Sequence, residues 1–144
     1  MLNIVLFEPE IPPNSGNVIR LCANTGSQLH LIHPLGFEIN NKQLRRAGLD
    51  YADKTFIHEH DDYELFTNFI SMQKNQRIFA CSTKGKKNYA DCQFTPGDFF
   101  LFGPETRGLP EDLMETLPEE QRIFIPMMPN NRSINLANAT SIIL

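Results

Sequence analysis

Apolar residues recur along this chain in short runs, too brief for helices and broken by glycine, proline and asparagine. Leu2 to Phe7, Leu29 to Ile32, Thr55 to His58, Arg77 to Cys81, Phe99 to Phe102 and Arg122 to Ile125 read as strands. Between them the spacing changes to a helical period. Asn14 or Ser15 caps a helix that runs to about Thr25 and stops at Gly26. Its buried stripe is Val18, Leu21, Cys22 and Thr25, and Asn17, Arg20 and Asn24 share an adjoining polar face. Asn40 or Asn41 caps a short helix carrying Lys42, Arg45 and Arg46 and ended by Gly48. Asp61 or Asp62 caps another, with Leu65, Phe66, Phe69 and Ile70 inward. A helix from Glu111 to Leu117 and a last one beginning near Ser133 or Asn135 complete the set. Strands alternating with helices predict one α/β domain over residues 1–144, with a mainly parallel sheet and helices on both faces.

The breaks are as informative as the runs. Glu8 to Pro13 holds three prolines and is a stiff loop. Ser82 to Asn88 is polar and basic, and Tyr89 to Phe94 fits no element.

A length of 144 residues suits a single core, and 41% hydrophobic with 21% charged residues is ordinary globular usage. No apolar run is long enough to span a bilayer, and the first residues lack the basic region and cleavage site of a signal peptide. Cys22, Cys81 and Cys92 match no zinc or redox spacing, which favours reduced thiols in a cytoplasm. A net charge of −4 argues against broad nonspecific nucleic-acid binding but leaves room for a local basic face.

Several familiar sites are excluded. There is no Gly-x-Gly-x-x-Gly after the first strand, no phosphate-binding glycine-lysine loop and no Gly-x-Ser-x-Gly elbow. His30, His33, His58 and His60 are not at metal-ligand spacing on a helix, and no metal is expected. Three loops remain, opening at Ser82, Gly103 and Pro126 after three apolar strands. In a parallel sheet such loops share the ligand-binding edge. The first is basic, the second carries Glu105 and Arg107, and the third carries Asn130, Asn131, Arg132, Ser133 and Asn135. They describe a pocket for a polar, partly aromatic small molecule; the Asn130–Ser133 cluster is also what a helix cap requires.

Three segments carry a resemblance: Asn14-Ser-Gly-Asn17-Val-Ile-Arg20, Phe102-Gly-Pro-Glu-Thr-Arg-Gly-Leu-Pro110, and Ile125-Pro-Met-Met-Pro-Asn-Asn-Arg-Ser133-Ile-Asn135-Leu. Together they resemble the three motifs of the SPOUT-class RNA methyltransferases. The short form, with Leu44-Arg-Arg-Ala-Gly-Leu-Asp-Tyr51, is similar to the tRNA wobble-position 2′-O-methyltransferases, the TrmL type. The resemblance implies a deep C-terminal trefoil knot, S-adenosyl-L-methionine as cofactor and a homodimer with the substrate site where the subunits meet. It implies cofactor contacts at Cys81, Ser82, Thr83, Gly103, Glu105, Leu109, Ile125, Met127 and Ser133. It places Arg20 beside the reacting ribose, with Glu105, Ser133 and Asn135 shaping the catalytic site. A guanidinium stays protonated, so Arg20 orients the 2′-hydroxyl or grips a phosphate.

For the tRNA anticodon stem-loop, Asn14, Arg20, Lys42, Arg45, Arg46, Tyr51 and Lys84 are the expected contacts, with Lys86 and Lys87 beside them. A ribosomal RNA substrate, or a noncatalytic RNA-binding module, fits the same residues. The last helix is still apolar at Leu144 and has no C-cap, so it reads as cut short, and Thr140 stands where the family has an aliphatic residue.

Overall fold

The computed structural model describes residues 1–39, 42 and 56–144. Seven strands form one sheet: β1 (Asn3–Phe7), β2 (Gln28–Ile32), β3 (Ile57–His60), β4 (Ile78–Cys81), β5 (Lys87–Asn88), β6 (Phe99–Phe102) and β7 (Arg122–Phe124). Their order is β3-β2-β1-β6-β4-β7-β5, and every pairing is parallel. Among the described residues, four helices flank the sheet: α1 (Pro12–Thr25), α2 (Tyr63–Ser71), α3 (Glu111–Glu115) and α4 (Leu136–Ile143).

Strand period divides the core into two layers. Ile4, Leu6, Phe100 and Phe102 point to one face and meet Val18, Ile19 and Cys22 of α1 and Leu136, Ala137 and Ile143 of α4. Val5, Phe7, Phe99 and Leu101 point to the other and meet Phe66 and Ile70 of α2 and Leu113 and Met114 of α3. The central strands β1 and β6 are buried on both faces, which is why their sequences read as unbroken apolar runs.

The expected elements form, with shifts that have local causes. The first helix begins at Pro12 rather than at Asn14, because prolines fill the first two helical positions where an N–H has no acceptor. It ends as expected at Gly26, whose φ of 73° lets its amide return to the Cys22 carbonyl. Ile19 and Ser15 join its buried side, while Thr25 is exposed. Asp62 is the cap of α2, accepting the Leu65 amide at 2.8 Å, and Asn135 is the cap of α4. The third strand runs from Ile57 to His60, two residues beyond its expected end, because His58 and His60 both turn under α2. The helix expected after Asn40 lies outside the described residues apart from Lys42. The 3₁₀ turn Tyr89–Asp91 falls in the stretch that fitted no element, and strand β5 forms at the end of the Ser82–Asn88 segment that was expected to be loop throughout.

Strand β7 is inserted between β4 and β5, which the chain connects directly through residues 82–86. That connection lies on β7: the Ser82 amide donates to the Ile123 carbonyl at 3.0 Å and the Lys86 amide to the Arg122 carbonyl at 2.7 Å. A Cβ on Gly85 would collide with the Ile123 carbonyl group and come within 2.8 Å of the Phe124 nitrogen. Only a residue without a side chain lets the two backbones lie this close. Gly85→Ala is expected to push the connection off β7 and to cost roughly 1–3 kcal/mol. A urea midpoint equal to that of the unmodified chain contradicts this packing.

The outer part of the sheet contains a layer of histidines. His30 of β2 is 2% exposed, stacks on His58 with centroids 4.8 Å apart, and shares a 3.0 Å hydrogen bond with His60. Phe66, Phe69 and Phe99 surround it. Burial first, then the neighbouring His58 and His60, pushes its pKa down to about 3, and burial lowers those of His58 and His60 too. A folded pKa below the unfolded one means that the unfolded chain takes up more protons in acid. Stability is therefore complete above about pH 6.5 and falls toward pH 3, with His30 alone accounting for about 2 kcal/mol by pH 5. Thermal melts are expected to show a steep loss between pH 7 and 5 that His30→Phe makes shallower; an equal slope in both proteins contradicts this origin.

Candidate active site

The register of three neighbouring strands builds one edge. Phe102 of β6 pairs with Cys81 of β4, and Cys81 pairs with Ile123 of β7. The three strands end level, so the loops from Ser82, Gly103 and Ile125 leave the sheet side by side. Strand β1 pairs with β6 on the other flank, Leu6 opposite Phe102, which brings the Glu8–Ile11 loop to the same edge. The three segments singled out by sequence meet here.

The loop after β6 is tightly closed. The Gly108 amide donates to the Pro104 carbonyl at 2.9 Å, and Gly108 has a φ of 70°. A Cβ on Gly103 would lie 2.6 Å from the Gly108 carbonyl carbon, so the first and last turns of this loop touch. Leu109 anchors its end in the α2–α3 layer. Among the described residues, the N–H groups of Thr83, Gly103, Ile125 and Met127 donate to no protein acceptor. Four amides with no acceptor among the described residues, in the loops after three neighbouring strands and beside half-buried Ile125 and Met127, suit a ligand with both polar edges and an apolar body.

The charged groups of this edge lie elsewhere than expected. Glu105 does not face open space: its carboxylate accepts the Glu10 amide at 2.8 Å and the Ile11 amide at 3.2 Å. The reason is α1, which has no side-chain cap and no acid in its first turn; Glu105 supplies the negative charge from another loop. In return Glu10 accepts the amide and hydroxyl of Thr106 at 3.0 and 2.7 Å. Those two bonds, and more weakly the Arg107 guanidinium, hold the Glu10 carboxyl below the usual carboxylate range. Sequence reasoning passed over Glu10 and Thr106. The available signal was a carboxylate set among prolines at a strand end, where the backbone is too stiff to satisfy its own groups.

Asn14 was expected to reach RNA, but it is buried, and its side-chain oxygen accepts the Asn135 side-chain amide at 3.0 Å. Asn135 in turn accepts the Ala137 and Asn138 amides, so it caps α4 and ties the third motif to the first. Arg20 is exposed on α1 beside Asn17 and Asn24, with no hydrogen bond or ion pair among the described residues. Ser133 is exposed. Ser82 accepts the Lys84 amide at 3.1 Å. Lys84 pairs with Glu111 at 3.2 Å, but both are exposed and the pair is worth little. Lys42 and Lys86 are exposed, and Lys87 is half-buried in β5. Arg45, Arg46 and Tyr51 lie outside the described residues.

Burial pushes the Cys81 thiol up, so it stays protonated and makes a poor nucleophile. The edge thus offers binding groups, and Arg20 on the neighbouring α1 offers an exposed guanidinium, which suits transfer between two bound molecules. Among the described residues no cluster of His, Cys, Asp or Glu could hold a metal ion. A hollow of about 330 Å³ lined by Met1, Leu2, Ser27, Phe94 and Leu144 lies at the opposite edge of the sheet, away from these loops.

The model of the SpoU rRNA methylase family matches residues 1–144. The tRNA (cytidine(34)-2′-O)-methyltransferase of Escherichia coli K12 is 54% identical over the whole chain, which covers 90% of that protein. The enzyme of the same name from Methylovorus glucosotrophus is 50% identical, with 100% and 92% covered. A solved structure described as giving insights into 2-OH methylation of C/U34 on tRNA superposes with a TM-score of 0.88 at 43% identity, covering 99% of this chain and 91% of that one. The SpoU methyltransferase AviRb from Streptomyces viridochromogenes, in complex with AdoMet, shares the fold with a TM-score of 0.83 at 20% identity, covering 99% of this chain and 55% of that one. A family match over the full length, with relatives identical at half or more of its positions, settles the assignment: the chain belongs to the SpoU methylase family.

Proposed function

We propose that this chain methylates the ribose 2′-hydroxyl of the wobble nucleotide, position 34, in the tRNA anticodon loop, with S-adenosyl-L-methionine as donor. The observation that carries the reading is the relatives' shared name at 54% and 50% identity over the whole chain. The geometry supports it. Amides at Thr83, Gly103, Ile125 and Met127, without an acceptor among the described residues, suit the polar edges of an adenosine and an amino acid, and Leu109 and Ile125 suit the face of the base. The cofactor, when bound, supplies a methyl group on a sulfonium.

The chain's own residues then have separable tasks. The loops after β4, β6 and β7 hold the donor through backbone groups, which need no reorganisation. Arg20, exposed and without a partner among the described residues, bonds the ribose oxygen or the adjoining phosphate and stabilises negative charge as it develops. Ser133 is exposed at the third loop and free to bond the donor or the ribose. Glu105 and Asn135 act from behind, by holding the ends of α1 and α4. Lys42, Lys84 and Lys86 are exposed cations suited to phosphate, with Arg45 and Arg46 as further candidates.

The working form is a homodimer in a cytoplasm, in which the partner doubles this basic surface. No described helix is long and apolar enough to cross a membrane. The same reading takes the last segment to be knotted; the support is that β7 lies between β4 and β5, whose short connection rests on its backbone.

Incubation with tRNA and methyl-labelled cofactor, followed by nuclease mapping, is expected to place the label on the position-34 ribose. Label on ribosomal RNA alone, or on a base, overturns the reading. Arg20→Ala is expected to lower kcat at least about a hundredfold while cofactor affinity by calorimetry stays within about threefold. Parallel loss of both overturns the role given to Arg20.

A further inference from the structure

Two carboxylates lock the start of α1 and the loop after β6 to each other. Each loop donates its amides to the other's side chain: Glu10 and Ile11 to Glu105, and Thr106 to Glu10. The Glu10 carboxylate also takes the Thr106 hydroxyl at 2.7 Å and lies 3.8 Å from Arg107 Nε. Glu10 has no room to retreat. The Gly36 amide donates to the Pro9 carbonyl at 2.8 Å, and a Cβ on Gly36 would lie 2.6 Å from the Glu10 carbonyl oxygen. The residue is held between the turn after β2 and the loop after β6.

What the clamp joins is seated in different core layers. Helix α1 is seated in one core layer through Val18, Ile19 and Cys22. The loop after β6 is seated in the other layer through Leu109. The clamp bridges them over the sheet edge, and Arg20 lies on the same helix, two turns on from its clamped end.

We propose that Glu10 is a positioning residue for methyl transfer, setting Arg20 of the RNA-facing helix against the cofactor loop and coupling the two. This rests on the function proposed above. Misplacement of a reacting geometry by about 1 Å costs about a hundredfold in rate, so a small slip of α1 is enough to be measured.

The test is steady-state kinetics on tRNA and S-adenosyl-L-methionine with the unmodified chain, Glu10→Ala, Glu10→Gln and Thr106→Val, at a temperature where melts show each folded. Glu10→Ala is expected to lose at least about tenfold in kcat, with KM for tRNA within about threefold. Glu10→Gln keeps a carbonyl oxygen for both Thr106 groups and is expected to stay within about threefold of the unmodified kcat. Thr106→Val removes only the hydroxyl and falls between. Full kcat in Glu10→Ala, a loss confined to KM, or a Glu10→Gln as slow as Glu10→Ala overturns the proposal. Should Glu10→Ala not fold, full kcat in Thr106→Val overturns it instead. Amide exchange without RNA separates the clamp from the reaction. The Ile11 N–H, bonded to Glu105, is expected to exchange at least about tenfold faster in Glu10→Ala or in Thr106→Val. An unchanged rate overturns the clamp. An unmodified chain that methylates no tRNA overturns the assigned function, and the exchange result then judges the clamp alone.

Discussion

Everything at the candidate site depends on three parallel strands ending at one level. Pairing of Phe102 with Cys81 and of Cys81 with Ile123 is a backbone constraint, set by hydrogen-bond register and by strands buried on both faces. It makes neighbours of residues far apart in the chain. No side chain has to reach across the sheet, because the sheet already delivers the loops. The same constraint explains the glycines. When a strand is inserted between two directly connected ones, the connection must lie on it, and Gly85 is where it does.

Legibility in the sequence followed physical lines. The burial of β1 and β6 writes itself as continuous apolar residues, so both strands and the parallel sheet could be read directly. Asp62, Asn135 and Gly26 act within a few residues of themselves, and such local chemistry is visible as caps and stops. Strand β5 could not be read, since Lys87 and Asn88 gain strand geometry only from β7, far along the chain. The shift of β3 has the same kind of origin. His58 and His60 are polar by type, but here they are the inward positions of an edge strand beneath phenylalanines. Composition ranks histidine as surface or site; the packing makes it core.

The site was legible as a set of segments and not as a set of contacts. The three motifs were found together at one edge, and Arg20 stands exposed as its type requires. Glu105 and Asn14 have protein partners that the sequence did not reveal, for one reason. A polar residue inside a functional motif invites a role toward the ligand, yet a loop built of prolines and glycines leaves backbone amides that something must satisfy. Glu105 satisfies Glu10 and Ile11, while Asn14 engages the cap residue of α4.

That division separates what binds from what holds. The loops after β4, β6 and β7 present backbone amides, which remain when a side chain is replaced. The groups that position α1 are side chains in two-way contact, and they connect layers with separate hydrophobic anchors. A loop held only by Leu109 would follow the α2–α3 layer, and a helix held only by Val18 and Ile19 would follow the other. Methyl transfer needs donor and acceptor fixed to a common frame. In this fold the frame cannot be either layer alone. It must be the edge where they meet, and the polar contacts across that edge run through Glu10, Glu105 and Thr106.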